Sequence, residues 1–308
     1  MGPVRLAMGG PADGEILVGP DRADHGPGAG GDAWKIDAAA LNGETRVLDV
    51  RVDGKILVVT GATQGVGRAV AVEAARSGAA AVMLTGRDKA RGAEAAQEIR
   101  DLGVDSAFIA AELEDPRAPS RIVSSALDAF GRIDLLVNAA ALSDRGAVAG
   151  APMELFDRLF AVNTRAPMYL MQGVIGHLRQ RNAPGAVVNV LSVNAHGGTP
   201  DLAVYAASKA ATALLTKNAA FSHRFDRIRV NGIYLGWTDT PGERDMQSRK
   251  LGKGDGWLAE AEARRPWGRL VRPVDVAKLV IFLLSDISIP MTGSLVDQEQ
   301  DLVLGVRD

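Results

Sequence analysis

Tyr205 and Lys209 are the residues whose types and spacing most directly suggest a reaction. They lie four positions apart in Y-A-A-S-K, within an Ala- and Leu-rich run over 203–221 that contains no Gly or Pro and therefore predicts a helix. Because residues four apart share a helix face, the ammonium of Lys209 can approach the phenol of Tyr205. A nearby cation lowers the pKa of a phenol from its usual value of about 10, which favours acid–base catalysis. The pair therefore predicts proton transfer through Tyr205.

Ser192 lies thirteen residues before Tyr205, directly after the apolar run 186–191. Its hydroxyl could donate a hydrogen bond to a substrate oxygen that gains negative charge during a reaction. A serine in this position could equally be a turn residue or a helix cap. A tyrosine and a lysine at this spacing are also common on amphipathic helices without any function. The hypothesis therefore depends on what else the sequence contains.

A glycine-rich turn lies near the start of the regular part of the chain. The β-branched run Ile56–Thr60 predicts a buried strand, and it passes through G-A-T-Q-G-V-G at 61–67 into a helical segment. Glycines permit a tight turn and close backbone approach, and the helix N-terminus attracts a pyrophosphate. The spacing G-x-x-x-G-x-G differs from the usual G-x-G-x-x-G, and such a turn can be purely structural. Alone, it indicates a dinucleotide site without establishing one.

Taken together, these motifs resemble those of the short-chain dehydrogenase/reductase family over roughly residues 51–300. Six motifs occur in the family's order: T-G-x-x-x-G-x-G at 60–67, N-A-A at 138–140, a helix asparagine at Asn163, Ser192, the pair Tyr205 and Lys209, and L-G-W-T-D-T at 235–240.

The resemblance implies an NAD(P)(H)-dependent oxidoreductase that interconverts a secondary alcohol and a ketone. In it, Tyr205 is the general acid or base, and Lys209 lowers the phenol pKa and hydrogen-bonds the nicotinamide ribose. The family's counterpart of Asn163 holds a water that extends the proton relay. The substrate residues expected on this basis are Ser192, Asn194, Tyr205 and Trp237, and Trp257 is expected to add a second apolar wall. A non-catalytic dinucleotide-binding sensor or scaffold with the same fold is the alternative.

The resemblance also implies the cofactor-binding residues. They are Gly61, Thr63, Gln64, Gly65, Val66, Gly67, Arg87, Glu112, Leu113, Asn138, Ala139, Tyr205, Lys209, Gly236, Thr238 and Thr240. No metal site is expected, because the sequence has no cysteine and its histidines form no metal-binding pair.

Cofactor preference is predicted from the end of the second strand, Ala81–Thr85. The family's NAD enzymes tend to place an aspartate there, where this chain has Gly86. The following residue, Arg87, offers a planar set of donors that suits a phosphate. Asp88 is expected to start the next helix as its N-cap. Gln64 stands where many NADP enzymes have a second basic residue. We therefore expect NADP(H) to be preferred, with NAD(H) possible.

Two positions and one short segment depart from the family pattern. Ala141 replaces a common glycine, and Leu235 replaces the usual proline before Gly236. V-D-Q-E-Q at 296–300 replaces V-D-G-G, in a part of the family usually linked to subunit packing.

Strand-like and helical segments alternate from Gly54 onwards. This pattern predicts an α/β fold with one Rossmann-type, doubly wound parallel sheet of about seven strands and helices on both faces. Residues 51–308 are expected to form the dehydrogenase/reductase domain, and the Gly- and Pro-rich residues 1–50 a largely irregular N-terminal extension. The predicted strands are 56–60, 81–85, 106–110, 135–138, 186–191, 228–233 and 294–296, and the main predicted helices are 89–102, 116–130, 153–181, 203–221 and 274–284.

Composition limits the range of partners. A net charge of −2 gives no indication of a nucleic-acid or membrane surface, and no apolar run reaches the ~18–20 residues that span a bilayer. The absence of cysteine is compatible with a cytoplasmic protein. The long helix predicted over 153–181 has apolar residues on more than one face, so a homo-oligomer, dimer or tetramer, is expected. The remaining partner is a small-molecule alcohol or ketone.

Overall fold

A computed structural model describes residues 49–197 and 199–300, together with the backbone of two short strands, β1 (Glu15–Leu17) and β2 (Lys35–Asp37). These two strands pair antiparallel. The chain divides into two units between Asp49 and Val50. Apart from β1 and β2, the predicted irregular extension lies outside the described residues.

The second unit is built on a seven-stranded sheet in which every neighbouring pair of strands is parallel. Its strand order is β5-β4-β3-β6-β7-β8-β9. Parallel neighbours require crossover connections, and helices supply them here. The strands are β3 (Ile56–Thr60), β4 (Ala81–Gly86), β5 (Asp105–Ala110), β6 (Leu135–Asn138), β7 (Gly185–Val190), β8 (Ile228–Leu235) and β9 (Leu295–Gln298).

Helices follow nearly every strand, at bounds close to those that the sequence predicts. They are α1 (Gly65–Arg76), α2 (Lys89–Asp101), α3 (Ala118–Phe130), α4 (Met153–Phe160), α5 (Ala166–Gln180), α6 (Ala203–Ser222), α7 (Pro241–Asp245), α8 (Trp257–Ala263) and α9 (Pro273–Leu284). A five-residue π-helix, Met246–Lys250, extends α7.

The core consists of two apolar layers, one on each face of the sheet. Side chains alternate along a strand, so Leu57 and Val59 of β3 contact one layer and Val58 the other. The first layer is covered by α1, α2 and α9, and the second by α3, α5 and α6. This arrangement confirms the predicted doubly wound α/β fold with helices on both faces.

The strand order reverses between β3 and β6, which lie side by side although β4 and β5 separate them in the sequence. In such sheets, ligands bind beyond the carboxyl ends of the strands at the point of reversal. Thr60 and Asn138 are paired at the ends of these two strands, so the turns that follow them form the walls of a crevice.

The helix predicted over 153–181 is interrupted. A π-helix, Ala161–Arg165, separates α4 from α5. Pro167, in the first turn of α5, has no N–H to donate to the carbonyl of Asn163, four residues earlier. The Thr212 hydroxyl of α6 donates to that carbonyl instead, at 2.7 Å. Proline thus breaks the regular ladder at the residue that the family resemblance singled out.

Candidate active site

The glycine turn after β3 leads directly into α1. Gln64 is the N-cap, and its own side chain makes no capping hydrogen bond, so the first N–H groups of α1 remain available to a ligand. A Cβ placed on Gly67 would lie 2.4 Å from the carbonyl oxygen of Gly61, so only glycine fits there. The residues of this turn line a large cleft. Both the close backbone and the uncapped helix end fit a dinucleotide pyrophosphate.

The packing around Gly86 explains why a glycine, and not an acidic residue, ends β4. A Cβ on Gly86 would lie 2.6 Å from Cγ2 of Thr63, so the packed turn excludes any larger side chain. Arg87 lines the cleft beside it. Asp88 caps α2 by accepting a hydrogen bond from the backbone N–H of Arg91, as predicted.

Arg91 is a second cation at this end of the cleft, one that sequence analysis missed. Its guanidinium donates to Oδ2 of Asp88 at 2.8 Å and also to Oε1 of Gln64. The signal was its position one turn into a helix that starts at the strand end, which places its side chain near the preceding loop. Gln64, which stands where many NADP enzymes have a basic residue, therefore binds the guanidinium of Arg91.

Asn138 lies beneath the cleft rather than in its wall. It is buried, and its Nδ2 donates to Oδ1 of Asn189 at 2.8 Å, which ties β6 to β7. The residues after it are fixed by Oγ1 of Thr60, which accepts hydrogen bonds from the N–H groups of Ala139 and Ala140, both at 3.1 Å. Nδ2 is thus used within the sheet, Oδ1 has no hydrogen-bond partner among the described residues, and the contact of Asn138 with a cofactor stays a prediction.

Tyr205 lies near the start of α6, and Ser192 lies just beyond the end of β7. Oγ of Ser192 accepts hydrogen bonds from the backbone N–H and Nδ2 of Asn194, both at 3.2 Å. This leaves the hydroxyl proton free to donate. Burial raises the pKa of the Tyr205 phenol, while a hydrogen bond with Ser192 acts in the opposite direction. The phenol is therefore protonated at neutral pH and can serve as an acid.

Lys209 is buried one helical turn after Tyr205, and its Nζ donates to the carbonyl of Val190 at 2.7 Å. Burial lowers the pKa of this amine to about 8. Nζ is 6.0 Å from the centroid of the Tyr205 ring. The predicted lowering of the phenol pKa by Lys209 is not seen, because desolvation of the phenol outweighs the interactions that favour phenolate.

Asn163 is buried behind the cleft, in the π-helix. Its Oδ1 accepts from the N–H of Leu142, and its Nδ2 donates to the carbonyl of Leu142, both at 2.9 Å. Nδ2 also lies 3.0 Å from Oγ of Ser208 on α6. In this structure the side chain thus joins the loop after β6 to the helix that carries Tyr205, and its backbone carbonyl is taken by Thr212. The predicted part of Asn163 in a proton relay stays a prediction.

The remaining predicted residues meet in one cleft of about 1070 Å³. The structure places in its wall Gly61, Thr63, Gln64, Gly65, Val66, Gly67, Arg87, Glu112, Leu113, Ala139, Ser192, Asn194, Tyr205, Lys209, Gly236, Trp237, Thr238 and Thr240. Thr240 also caps α7, accepting a hydrogen bond from the N–H of Glu243 at 3.1 Å.

Further polar residues of this cleft that the sequence did not indicate include Arg145, Glu243, Gln247 and Glu299. They lie on loops or short helices without a regular pattern, so no periodicity indicated their direction. Glu299 comes from the segment that departs from V-D-G-G, and a Cβ on Gly236 would lie 2.4 Å from its carboxylate. Trp257, expected in the cleft wall, is instead buried in a small cluster, where it stacks on Trp237 with ring centroids 5.8 Å apart.

Comparison with known proteins identifies the family. The profile of a family described as enoyl-(acyl carrier protein) reductase matches residues 61–298. The chain is 34% identical to the short-chain dehydrogenase/reductase FrzI of Cladobotryum sp., over 81% of this chain and 96% of that protein. It is 33% identical to a sorbitol dehydrogenase of Cereibacter sphaeroides, over 76% and 91% of the two chains.

A solved structure supports the same family assignment. The L-sorbose reductase of Gluconobacter frateurii, in complex with NADPH and L-sorbose, superposes with a TM-score of 0.78 at 27% identity, covering 84% of this chain and all of that one. The protein belongs to the short-chain dehydrogenase/reductase family of oxidoreductases.

No helix of the described residues is both long and apolar enough to cross a bilayer. The same part of the chain contains no group of three or more His, Asp or Glu side chains placed to hold a metal ion.

Proposed function

We propose that the protein is an NADP(H)-dependent oxidoreductase that interconverts a secondary alcohol and a ketone, with residues 51–308 as the domain that binds both cofactor and substrate. One observation carries the proposal. Ser192, Tyr205 and Lys209 line the same cleft as the uncapped N-terminus of α1 and the glycines before it. A proton donor and a pyrophosphate site therefore face the same space.

Each side chain has a defined task in carbonyl reduction. Ser192 donates a hydrogen bond to the carbonyl oxygen, and Tyr205 transfers its proton to that oxygen as negative charge develops there. The cofactor, when bound, would supply a hydride to the carbonyl carbon, so the ketone would gain two electrons and one hydrogen from the cofactor and one proton from Tyr205. Lys209 holds a positive charge below its pKa of about 8 and stabilises the phenolate that remains. Alcohol oxidation is the reverse, with the phenolate as base.

Asn163 positions these groups. Its bonds to Leu142 and Ser208 hold the loop after β6 against α6. We assign the predicted catalytic contribution of Asn163 to this placement of Tyr205 and Lys209.

The preference for NADP(H) rests on charge at the end of β4. Arg87 and Arg91 both line the cleft there, and no acidic side chain fits at Gly86. The related L-sorbose reductase was solved with NADPH. NAD(H) is the second cofactor that we propose, because it differs from NADP(H) only in lacking the phosphate assigned to Arg87 and Arg91.

Arg87→Ala tests this preference. The variant removes a charge-assisted contact to a phosphate, so kcat/KM for NADPH should fall roughly 10- to 100-fold while the value for NADH changes little. Steady-state kinetics with both cofactors measure the ratio. Arg117→Ala, an exposed arginine outside the cleft, is the control. A wild-type enzyme that favours NADH and is indifferent to loss of Arg87 would overturn the assignment.

Turnover decides between this function and the alternative of a sensor or scaffold. Such a protein needs the dinucleotide fold but gives no role to Ser192, Tyr205 and Lys209 together. Purified protein should consume NADPH with ketones, and form it from NADP⁺ with alcohols, in a screen followed at the nicotinamide absorbance. Tight cofactor binding with no turnover across both panels would favour the sensor.

We also propose that the chain forms a homo-oligomer through α4, α5 and α6. These helices expose large apolar side chains, among them Met153, Met168, Tyr169, Leu214 and Phe221. Leu214 and Phe221 are 62% and 68% exposed and lie two turns apart on α6. Apolar patches of this kind mark association surfaces.

Light scattering at micromolar concentration should give a dimer or tetramer. Leu214→Glu should shift the mass toward the monomer, because it places a charge in the proposed interface. Leu102→Glu, an equally drastic change at the end of α2, should leave the assembly intact. A wild-type monomer would contradict the proposal.

A further inference from the structure

Three polar side chains near Tyr205 have no part in the proton transfer described above. Arg145, Glu243 and Gln247 all line the cleft that contains the phenol. Arg145 and Glu243 act on that phenol in opposite directions, the guanidinium lowering its pKa and the carboxylate raising it. Both charges are therefore within electrostatic reach of the reacting oxygen, where a substrate would lie.

Arg145 is held in place by the chain that leads into α6. The N–H of Gly146 donates to the carbonyl of Asp201 at 2.7 Å, and the N–H of Val204 donates to the carbonyl of Gly146 at 3.2 Å. These bonds fix the residue after Arg145 to the segment just before Tyr205. The backbone next to Arg145 is thus tied to the start of the helix that carries Tyr205.

The guanidinium has unused donor capacity. Its side chain is 24% exposed, and Nε lies 3.5 Å from a carboxylate oxygen of Asp201, too far for a strong hydrogen bond. Nε is buried, and no group in the described part of the chain accepts a hydrogen bond from it. Such a donor costs free energy unless a partner is supplied. Because Arg145 lines the cleft, a ligand can supply one.

Gln247 has a buried acceptor without a partner among the described residues, whereas Arg145 has a buried donor without one. It is only 3% exposed, and its Nε2 donates to Oε1 of Glu243 at 2.6 Å. The same carboxylate oxygen accepts a hydrogen bond from Nε1 of Trp237 at 2.8 Å, so the three side chains form a fixed group. No described residue donates to Oε1 of Gln247, which is a buried acceptor in the wall of the cleft. A ligand hydroxyl or amide N–H could donate a hydrogen bond to this oxygen.

We propose that Arg145 binds a carboxylate of the substrate and that Gln247 and Glu243 accept hydrogen bonds from its hydroxyl groups. The substrate is then a polyhydroxylated carboxylic acid, oxidised or reduced at one of its carbinol or ketone carbons. A planar guanidinium matches a carboxylate better than it matches a neutral hydroxyl, which gives Arg145 the specificity-determining role. This inference rests on the proposed oxidoreductase function and names the substrate class for the same cleft.

Matched pairs of alcohols test the inference. D-gluconate and sorbitol, or glycerate and glycerol, differ chiefly in one terminal carboxylate. With NADP⁺, the wild-type enzyme should oxidise at least one acid with a kcat/KM roughly ten or more times that of its neutral partner. A factor of about this size is expected from one hydrogen bond to a charged group. Arg145→Gln should lower kcat/KM for the acid by roughly 30- to 100-fold, mainly through KM, and should lower kcat/KM for the neutral alcohol by a much smaller factor. Arg145→Lys should recover part of the loss, since it restores the charge without the planar geometry.

Two further variants separate specificity from folding. Arg100→Gln removes an exposed arginine at the end of α2 and should leave both substrates unaffected. Gln247→Leu should weaken the acid and its neutral partner alike, because both carry the hydroxyls that it would bind. A loss of equal size for acid and neutral alcohol in Arg145→Gln would assign Arg145 to structure and overturn the proposal.

Binding provides a readout that does not need turnover. Calorimetry with the protein–NADP⁺ complex should detect gluconate or glycerate binding that Arg145→Gln abolishes. Turnover of neutral alcohols without such binding would overturn the carboxylate proposal alone. An enzyme that turns over no alcohol or ketone at all, yet binds these acids through Arg145, would overturn the proposed function and leave the anion site standing.

Discussion

Tyr205→Phe should lose turnover by roughly 10²- to 10⁴-fold while still binding NADPH at near wild-type affinity. The substitution removes one oxygen and leaves the aromatic ring in its buried position. That oxygen is the proposed proton donor for carbonyl reduction, and its raised pKa keeps the proton on it at neutral pH. Without it, a carbonyl oxygen would gain its negative charge with only Ser192 to stabilise it.

Tyr234→Phe is the matched control. Tyr234 is also a buried tyrosine with a raised pKa, but it lies in β8 beside His196 and does not line the cleft. Its loss of a hydroxyl should leave kcat within a few-fold of wild type. Steady-state kinetics and NADPH fluorescence titration measure the two effects separately. Near-normal turnover in Tyr205→Phe would remove Tyr205 from its assigned role.

Lys209→Met should lose activity by at least roughly 10²-fold and also weaken NADPH binding, because the ammonium is assigned both to the phenolate and to the ribose. Lys217→Met is the control, since Lys217 is exposed two turns further along the same helix. Unimpaired cofactor binding in Lys209→Met would exclude its contact with the ribose.

The same lysine should leave a signature in stability. Burial holds its pKa at about 8 in the folded protein, whereas the unfolded chain keeps the ordinary value of 10.5. Between these pH values the unfolded chain binds more protons, so the contribution of this group to the free energy of unfolding rises with pH, with a slope of at most about 1.4 kcal/mol per pH unit. Denaturant titrations from pH 8 to 10 should show that rise in the wild type and not in Lys209→Met. Parallel curves for the two proteins would mean that the folded amine titrates normally.

Much of the fold could be predicted because its signals are local. The buried strands are short β-branched runs, and the glycines and polar residues between them mark the turns, so predicted and observed bounds differ by only one or two residues. The break at Asn163 was missed because it depends on the effect of Pro167 on a carbonyl four residues earlier and on Thr212, which is distant in sequence. The helical pattern continues through that break without a visible change.

The site was predicted less evenly. The residues on the glycine turn and on the first turns of α6 could be placed in the cleft from the sequence, because the spacing within each motif determines which side chains face the same side. Arg145 and Gln247 enter the cleft because of loop and helix packing, for which a single sequence contains no signal. For Arg91 a signal existed, its position one turn into α2, and it was missed. The pKa of Tyr205 was also out of reach, because it depends on how completely the folded chain excludes water from the phenol.

Transfer of a labelled hydride tests the central claim most directly. NADPH that carries deuterium at its transferable position would be incubated with the protein and a panel of hydroxylated ketones, and the products analysed by mass spectrometry. The account predicts deuterium on the new carbinol carbon of at least one product, with formation reduced at least roughly 10²-fold in Tyr205→Phe and unchanged in Tyr234→Phe. NADPH binding without any labelled product, or equal labelling by Tyr205→Phe, would contradict it.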